Sequence, residues 1–498
     1  SFKDILIKAD ITREEVAFIE ENNMRLPGIK IKAEPLRNYV YKSLMSHVLG
    51  YLGEISNSKL KSSDNPYSPG DFVGKSGLEN VFESTLRGKK GKKEVEADVF
   101  GRELKVLRKI PPDSGNNLIL TLDVKIQEEL EKAMARNTEK ITNGSVVVIK
   151  VQTGEILAIA SKPSFDPNKF ASGISQKNWK TMVDDEMHPL QNRSIHSQYP
   201  PGSVYKIAVA YAALEEGIID SETKINCPGS FKLGRGRYRC WKKQGHGALN
   251  LHNALVQSCD VYFYNLGHRL GIDTLAYYAK KFGLGIPTGI GLNLEKGGLV
   301  PTTKWKLKNR KQPWFLGETI SASIGQGYNL VTPLQQANMM VAVANGGVLL
   351  KPYLIKRIEK PDGKILKEFF PELKGKIDGS SENLEIIRKA LHDVVNMPKG
   401  TGQKAKLKNI IVSGKTGTVQ VVRMKNKMGF EKEDVPYKHR DHAWFVGFAP
   451  YEKPEIVVAV LIEHGGHGGA TAAPIAKKII KKYFQLYPHK PNAEPSFL

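Results

Sequence analysis

Ser203-Val204-Tyr205-Lys206, Ser258-Cys259-Asp260 and Lys415-Thr416-Gly417-Thr418 occur in that order along the chain. A serine hydroxyl is a weak nucleophile and needs an adjacent base. Lys206 stands one helical turn beyond Ser203, on the same face. A lysine serves as a base only when burial or a second cation lowers its proton affinity, and Lys415 could be that cation. S-x-x-K alone recurs by chance, but three such motifs in this order point to acyl transfer through a serine nucleophile. Pro200-Pro201-Gly202 precedes the serine, and residues 207–216 read as a helix. Ser203 should therefore sit at a helix start, where unpaired N–H groups and the dipole favour developing negative charge. An N–H from Ser203 and one from Thr418 would make a two-donor oxyanion hole.

These side chains need elements to hold them. The third motif overlaps an apolar run, residues 410–414, that predicts a strand continued by residues 419–422. Gly417 removes a side chain where a substrate backbone must lie close, and Thr416 and Thr418 offer hydroxyls. Residues 124–137 predict a helix; 145–149 and 155–160 flank Gln152-Thr153-Gly154 as a hairpin. A mostly helical stretch then carries the first two motifs. Strands return at 443–449 and 456–463, and 470–487 predicts a final helix. Outer strands with a helical insertion give an α+β class, an antiparallel sheet packed by helices with a helical subdomain.

Residues 1–112 are polar, with short β-like runs such as 29–33 and a strand and turn at 97–102, and form a smaller α+β region. The punctuation at 111–115 sets the boundary, giving domains 1–112 and 113–498. Tyr39, Val40, Tyr41 and Phe72 read as exposed apolar residues, the kind that mark a docking surface. Residues 305–314 read as a charged, aromatic loop, either solvated or contacting a substrate or partner. Residues 422–438 read as a long charged loop between strands.

At 498 residues the chain is long enough for two or three domains. No apolar run reaches membrane-spanning length. The net charge of +23 suits a polyanionic partner or an anionic surface. The basic residues are spread out and no nucleic-acid fold signature is present, so nucleic acid is not expected as a partner.

A second chemistry sits between the first two motifs. The chain has 3 cysteines, Cys227, Cys240 and Cys259, and His246 lies among them. Three thiolates and one imidazole make a complete tetrahedral shell for structural zinc. Turn residues, Pro228-Gly229 and Gly245-His246-Gly247, help to bring them together. The alternatives are a disulfide with one free thiol, or three inert thiols.

These residues resemble the class B penicillin-binding proteins, and within them the penicillin-binding protein 2 group of the rod-elongation machinery. The resemblance extends to Pro35-Leu36-Arg37-Asn38-Tyr39, His47-Val48-Leu49-Gly50-Tyr51, Gly74-Lys75-Ser76-Gly77-Leu78-Glu79 and Arg87-Gly88 in a pedestal. It continues through Leu120-Thr121-Leu122-Asp123 with Gln127 and through Ser323-Ile324-Gly325-Gln326-Gly327. It implies a peptidoglycan D,D-transpeptidase, a β-lactam target that cross-links stem peptides ending in D-Ala-D-Ala. Ser203 would be acylated, Lys206 would take its proton, Ser258 would relay protons, and Lys415, Thr416 and Thr418 would hold the terminal carboxylate. Gly417 belongs to the same substrate strand. Where the family has Asn as third residue of the second motif, this chain has Asp260, which as an anion only accepts hydrogen bonds. Either that contact is lost or Asp260 pairs with a lysine. Some relatives hold zinc at positions matching Cys227, Cys240, His246 and Cys259, with carboxylates replacing two of the cysteines. The resemblance further implies the rod-shape scaffold MreC and the membrane glycan polymerase of the elongation complex as partners. It implies a periplasmic catalytic domain with an inner-membrane anchor upstream of Ser1. A D,D-carboxypeptidase or β-lactamase, or a penicillin-binding sensor or scaffold without turnover, remain alternatives.

Overall fold

The computed structural model describes residues 7–8, 10–33, 35–61, 67–99, 103–135, 143–171, 173–421 and 436–489. The chain divides into two units. The first is Ser1–Ile119 with Ser164–Leu190 and Arg357–Glu368, and the second is Leu120–Pro163 with Gln191–Lys356 and Phe369–Leu498. The sequence places one linear boundary at 112/113; the first unit gathers two later segments that a linear reading cannot assign.

The second unit is built on a five-stranded antiparallel sheet in the order Ser413–Val419, His442–Ala449, Ile456–Ile462, Gly144–Lys150, Ile156–Lys162. Every residue of Ile456–Ile462 is buried, so the strand shows no polar alternation and is covered on both faces. Val146, Val148, Val458 and Val460 join Ile126 and Leu130 of helix Val124–Ala135 and Ile475 and Ile479 of helix Gly468–Leu486 in one core. Helix Pro333–Ala344, buried along its whole length, packs against Gly144–Lys150 and Ile456–Ile462. Its start is set by a capping box between Thr332 and Gln335 with Pro333 in the first turn. Each fully buried aliphatic side chain here is worth about 1.5–3 kcal/mol, so this sandwich is the rigid platform of the unit. Helix Lys206–Glu215 has no polar stripe: all but Glu215 of its residues are buried, against helices Asp260–Lys281 and Ser381–Asn396.

The α+β class and the outer strands follow the sequence. Three local expectations do not. The third motif is itself the strand Ser413–Val419, whereas the more apolar residues 410–412 lie before it. Residues 29–33 are irregular. Of the expected loop 305–314 only 311–314 is irregular, because helix Thr303–Arg310 starts on the Thr302 side chain, which accepts from Trp305 N at 2.9 Å. Lys306 on that helix is 1% exposed, with Nζ 2.6 Å from both carboxylate oxygens of Glu318. Residues 100–102, 136–137 and 422–435 of the expected elements lie outside the described residues.

In the first unit, two of the pedestal segments meet around a buried carboxylate. Glu79 accepts from Arg37 Nε at 2.9 Å and from Tyr39 Oη at 3.1 Å. Burial raises the Glu79 carboxyl above its ordinary range, with Arg37 opposing. Tyr39 is therefore buried by its hydroxyl's partner and Phe72 is half-buried in strand Phe72–Gly74, which corrects their expected exposure. Leu36, Val40 and Tyr41 are exposed. No helix among the described residues is long and apolar enough to cross a membrane.

Candidate active site

Ser203 lies in a single 3-10 turn, Gly202–Val204, that leads into helix Lys206–Glu215, one step before the regular helix expected to hold it. The turn is wedged from three sides. Gly202 N donates to Gly325 O at 3.0 Å, and Trp444 Nε1 donates to Pro200 O at 3.2 Å. A Cβ on Gly325, at φ +71°, would fall 2.2 Å from Gly202 O, so only glycine allows this approach. Gly417 plays the matching part on the sheet side. A Cβ there would meet Pro201 O at 3.3 Å and Val204 Cγ2 at 3.4 Å. The space beside Gly417, expected to admit a substrate backbone, is taken by the nucleophile turn itself.

Ser258 follows from how two helices join. Helix Leu251–Val256 ends with Ser258 N bonded to Leu255 O and Cys259 N bonded to Ala254 O, a Schellman motif. The residue at its left-handed position is usually glycine; here it is Ser258 at φ +53°. A side chain kept in that conformation at a cost of order 1–3 kcal/mol is a mark of function. Cys259 then caps helix Asp260–Lys281, which places Asp260 in its first turn.

The first two motifs meet at Lys206, which is fully buried. Its Nζ donates to Asp260 Oδ1 at 2.7 Å, to Ser258 O at 3.0 Å and to Ser258 Oγ at 3.3 Å. Asp260 thus pairs with a lysine, one of the two outcomes the sequence left open. Lys415 is also fully buried, and burial first, then the charge of Lys206, hold its amine well below the ordinary lysine range, with Asp260 opposing. Thr416 Oγ1 lies 2.7 Å from Thr401 Oγ1. Thr418 O accepts from Gln326 Nε2 at 3.4 Å on the side of Ser413–Val419 away from its partner strand. A strand residue points its N–H and C=O to the same side, so Thr418 N also faces outward; it would lie 3.5 Å from a Cβ on Gly202.

A domain model described as the penicillin binding protein transpeptidase domain matches residues 144–481, and one described as the penicillin-binding protein dimerisation domain matches residues 1–120. The chain belongs to the penicillin-binding protein transpeptidase family. It is 38% identical over 487 residues to the peptidoglycan D,D-transpeptidase MrdA of Acinetobacter baumannii, covering 95% of this chain and 70% of that one. Its structure is similar to PBP2 of Helicobacter pylori solved in complex with MreC, at a TM-score of 0.82 and 34% identity, covering 96% of this chain and 84% of that one. It is also similar to a chain of a peptidoglycan synthase complex that coordinates polymerization and crosslinking, at a TM-score of 0.78 and 31% identity, covering 97% and 82%.

Beside the site of this penicillin-binding protein, the ligand atoms of Cys227, Cys240, His246 and Cys259 all lie within 4.8 Å of one another. His246 Nδ1 is 3.6 Å from the sulfurs of both Cys227 and Cys240. Ligands at about 2.0–2.3 Å on tetrahedral corners stand roughly 3.3–3.8 Å apart, so the donor set fits a Zn²⁺-sized centre. All three cysteines are free of disulfides. The hydrogen bond with Cys259, then those from His246 and from the backbone of Lys242 and Asp260, hold the Cys240 thiol far below the ordinary thiol range against the effect of burial. Four contributors to the site carry no signal in a motif search: Trp444, Thr401, Val204 and Trp241, which donates from its backbone N–H to Asp260 Oδ2 at 3.0 Å.

Lys415 generates a pH prediction. Its folded-state proton affinity is depressed, so between that value and the ordinary 10.5 the unfolded chain binds more protons than the folded one. Stability conferred at this position therefore rises with pH across that window. The melting temperature of the wild type relative to Lys415→Met should climb between pH 7 and pH 10; parallel curves would show that Lys415 is not destabilised as a cation.

Proposed function

We propose that this penicillin-binding protein is the peptidoglycan D,D-transpeptidase of cell elongation, acting through a serine acyl-enzyme on Ser203. The hydrogen bonds of Lys206 to Ser258 and Asp260, with Ser203 in the turn before Lys206 and Thr418 N facing that turn, carry the reading. Ser203 Oγ attacks the carbonyl carbon of the D-Ala-D-Ala bond of a stem peptide, and the hydroxyl proton passes to Lys206. The tetrahedral oxyanion lies between the N–H groups of Ser203 and Thr418. The C–N bond then breaks, and Ser258, 3.3 Å from Lys206 Nζ, returns a proton to the departing D-alanine amine. A second stem's amine attacks the ester, transfers its own proton to the same relay and frees Ser203. Strand Ser413–Val419 is the sheet's edge, so an extended donor stem is aligned there by strand addition, with Thr416 and Thr418 at its terminal carboxylate and Lys415 beneath. β-Lactams acylate the same serine.

The Cys227, Cys240, His246 and Cys259 set would hold one structural Zn²⁺. When bound, the ion supplies a fixed cross-link between the segments around Cys240 and Cys259. The partners are MreC, docking on the face that carries Leu36, Val40 and Tyr41, and the membrane glycan polymerase. The catalytic unit works in the periplasm at the inner membrane, because its substrate is the wall.

Four outcomes are expected. Incubation with a β-lactam and peptide mass mapping should place the adduct on Ser203. Ser203→Ala should abolish it, and Lys206→Ala should slow acylation by roughly 10² to 10⁴. With lipid-linked precursor and a polymerase, cross-linked dimers should form; release of D-alanine without dimers would make the enzyme a hydrolase. Protein purified without added zinc should carry one equivalent, and Cys240→Ser should lower metal content and melting temperature together. A metal-free, fully stable sample with three titrating thiols would remove the zinc assignment. Finally, Val40→Asp with Tyr41→Asp should weaken MreC binding at least tenfold while acylation persists; loss of both would indicate misfolding instead of docking.

A further inference from the structure

Trp241 is 59% exposed, yet both of its N–H groups are spent inward. Its indole Nε1 donates to Gln257 O at 3.1 Å and Ser258 O at 3.2 Å, a bond shared between two carbonyls at the end of helix Leu251–Val256. Its backbone N–H donates to Asp260 Oδ2 at 3.0 Å. Lys206 Nζ holds the other side of the same two groups, Ser258 O at 3.0 Å and Asp260 Oδ1 at 2.7 Å. The carbonyl and the carboxylate that locate the lysine are each gripped from opposite sides, by Lys206 from the buried interior and by Trp241 from the surface.

The ring itself contributes little to a core. It forms an edge contact with His246, centroids 5.4 Å apart, and lines an open cleft with Lys242, Gln257 and Lys399. A large apolar ring left in water, with its polar edge committed to two catalytic neighbours, is not explained by burial. Its location is held by Cys240, whose N donates to Gly229 O at 2.9 Å. Trp241 is therefore tied to the Gln257–Asp260 segment by three bonds.

We propose that Trp241 is a positioning residue for acyl transfer: its indole N–H fixes the strained Ser258 carbonyl, and through it the place of Lys206 beside Ser203. Without that donor the Ser258 peptide is free to rotate away from Lys206, and one of the three bonds that aim the amine is loosened. The inference rests on the reading of Ser203 as nucleophile and Lys206 as its base. It concerns the rate of bond formation and not ligand affinity, because Trp241 touches the catalytic groups from behind.

The test is stopped-flow acylation of the full chain by a chromogenic cephalosporin, separating the dissociation constant of the first complex from the acylation rate constant. Trp241→Phe keeps an aromatic ring and loses the indole N–H. The acylation rate constant should fall roughly 2- to 13-fold, the range for one hydrogen bond to a neutral carbonyl, with the dissociation constant, metal content and melting temperature unchanged. Replacement by 3-benzothienylalanine, which keeps the bicyclic shape without an N–H, should reproduce the loss. Replacement by 5-fluorotryptophan, which keeps the donor, should restore the rate. An unchanged rate constant in both donor-free variants overturns the proposal. So does a change confined to the dissociation constant, or a loss of rate that tracks melting temperature or metal. If wild-type protein is not acylated at Ser203, it is the nucleophile assignment that fails, and the variants are then silent by a separate, visible cause.

Discussion

The bonds from Lys206 to Asp260 and to the Ser258 carbonyl are what the rest of the site is arranged around. An amine buried without partners would cost several kcal/mol and shed its charge. Here one carboxylate and one carbonyl accept it, and both lie on residues next to a helix junction. Because Asp260 offers acceptors only, it meets Lys206 as an ion pair, and the local charge of the site changes with it. Lys415 feels that change: it is buried near a second lysine whose charge is partly offset by Asp260.

Close approach is the second constraint, and it is met with missing side chains. The turn bearing Ser203 is pressed between Gly325 on one side and Gly417 on the other, each at a distance that a Cβ would violate or crowd. Rigid neighbours on both sides turn a short 3-10 turn into a fixed platform, since the sheet behind Gly417 and helix Leu316–Ala322 leading to Gly325 are themselves packed. Preorganisation of this kind is the largest contribution a protein makes to acyl transfer.

Much of this was legible from residue types at fixed spacing. S-x-x-K, K-T-G and the clustering of three cysteines with His246 each name a chemistry, and the fold brings each set together. Other features had no such signature. Trp241 and Thr401 act through hydrogen bonds to residues distant in sequence, and nothing local distinguishes them from any other tryptophan or threonine. Residues 305–314 look solvated because they are basic, yet Lys306 is buried on Glu318, a partner set by tertiary packing. Ile410 and Ile411 are better strand formers than Gly414 or Gly417, but the ladder with His442–Ala449 decides where the strand begins. Tyr39 reads as exposed until Glu79, forty residues on, is known to meet it.

The order of strands in the sheet has a kinetic consequence. Gly144–Lys150 pairs with Ile456–Ile462, so the sheet closes over a loop of several hundred residues, and Ser413–Val419 joins the sheet through the strands that arrive with it. The Cys/His knuckle, by contrast, joins residues within one short window and needs little loop closure. During biogenesis, then, the half of the catalytic centre around Ser258 can assemble early, whereas Lys415 reaches Lys206 only after the slowest, most non-local pairing is complete. A chain still missing its last strands would hold Ser203 and Lys206 but not the paired strand that carries Lys415 and Thr418.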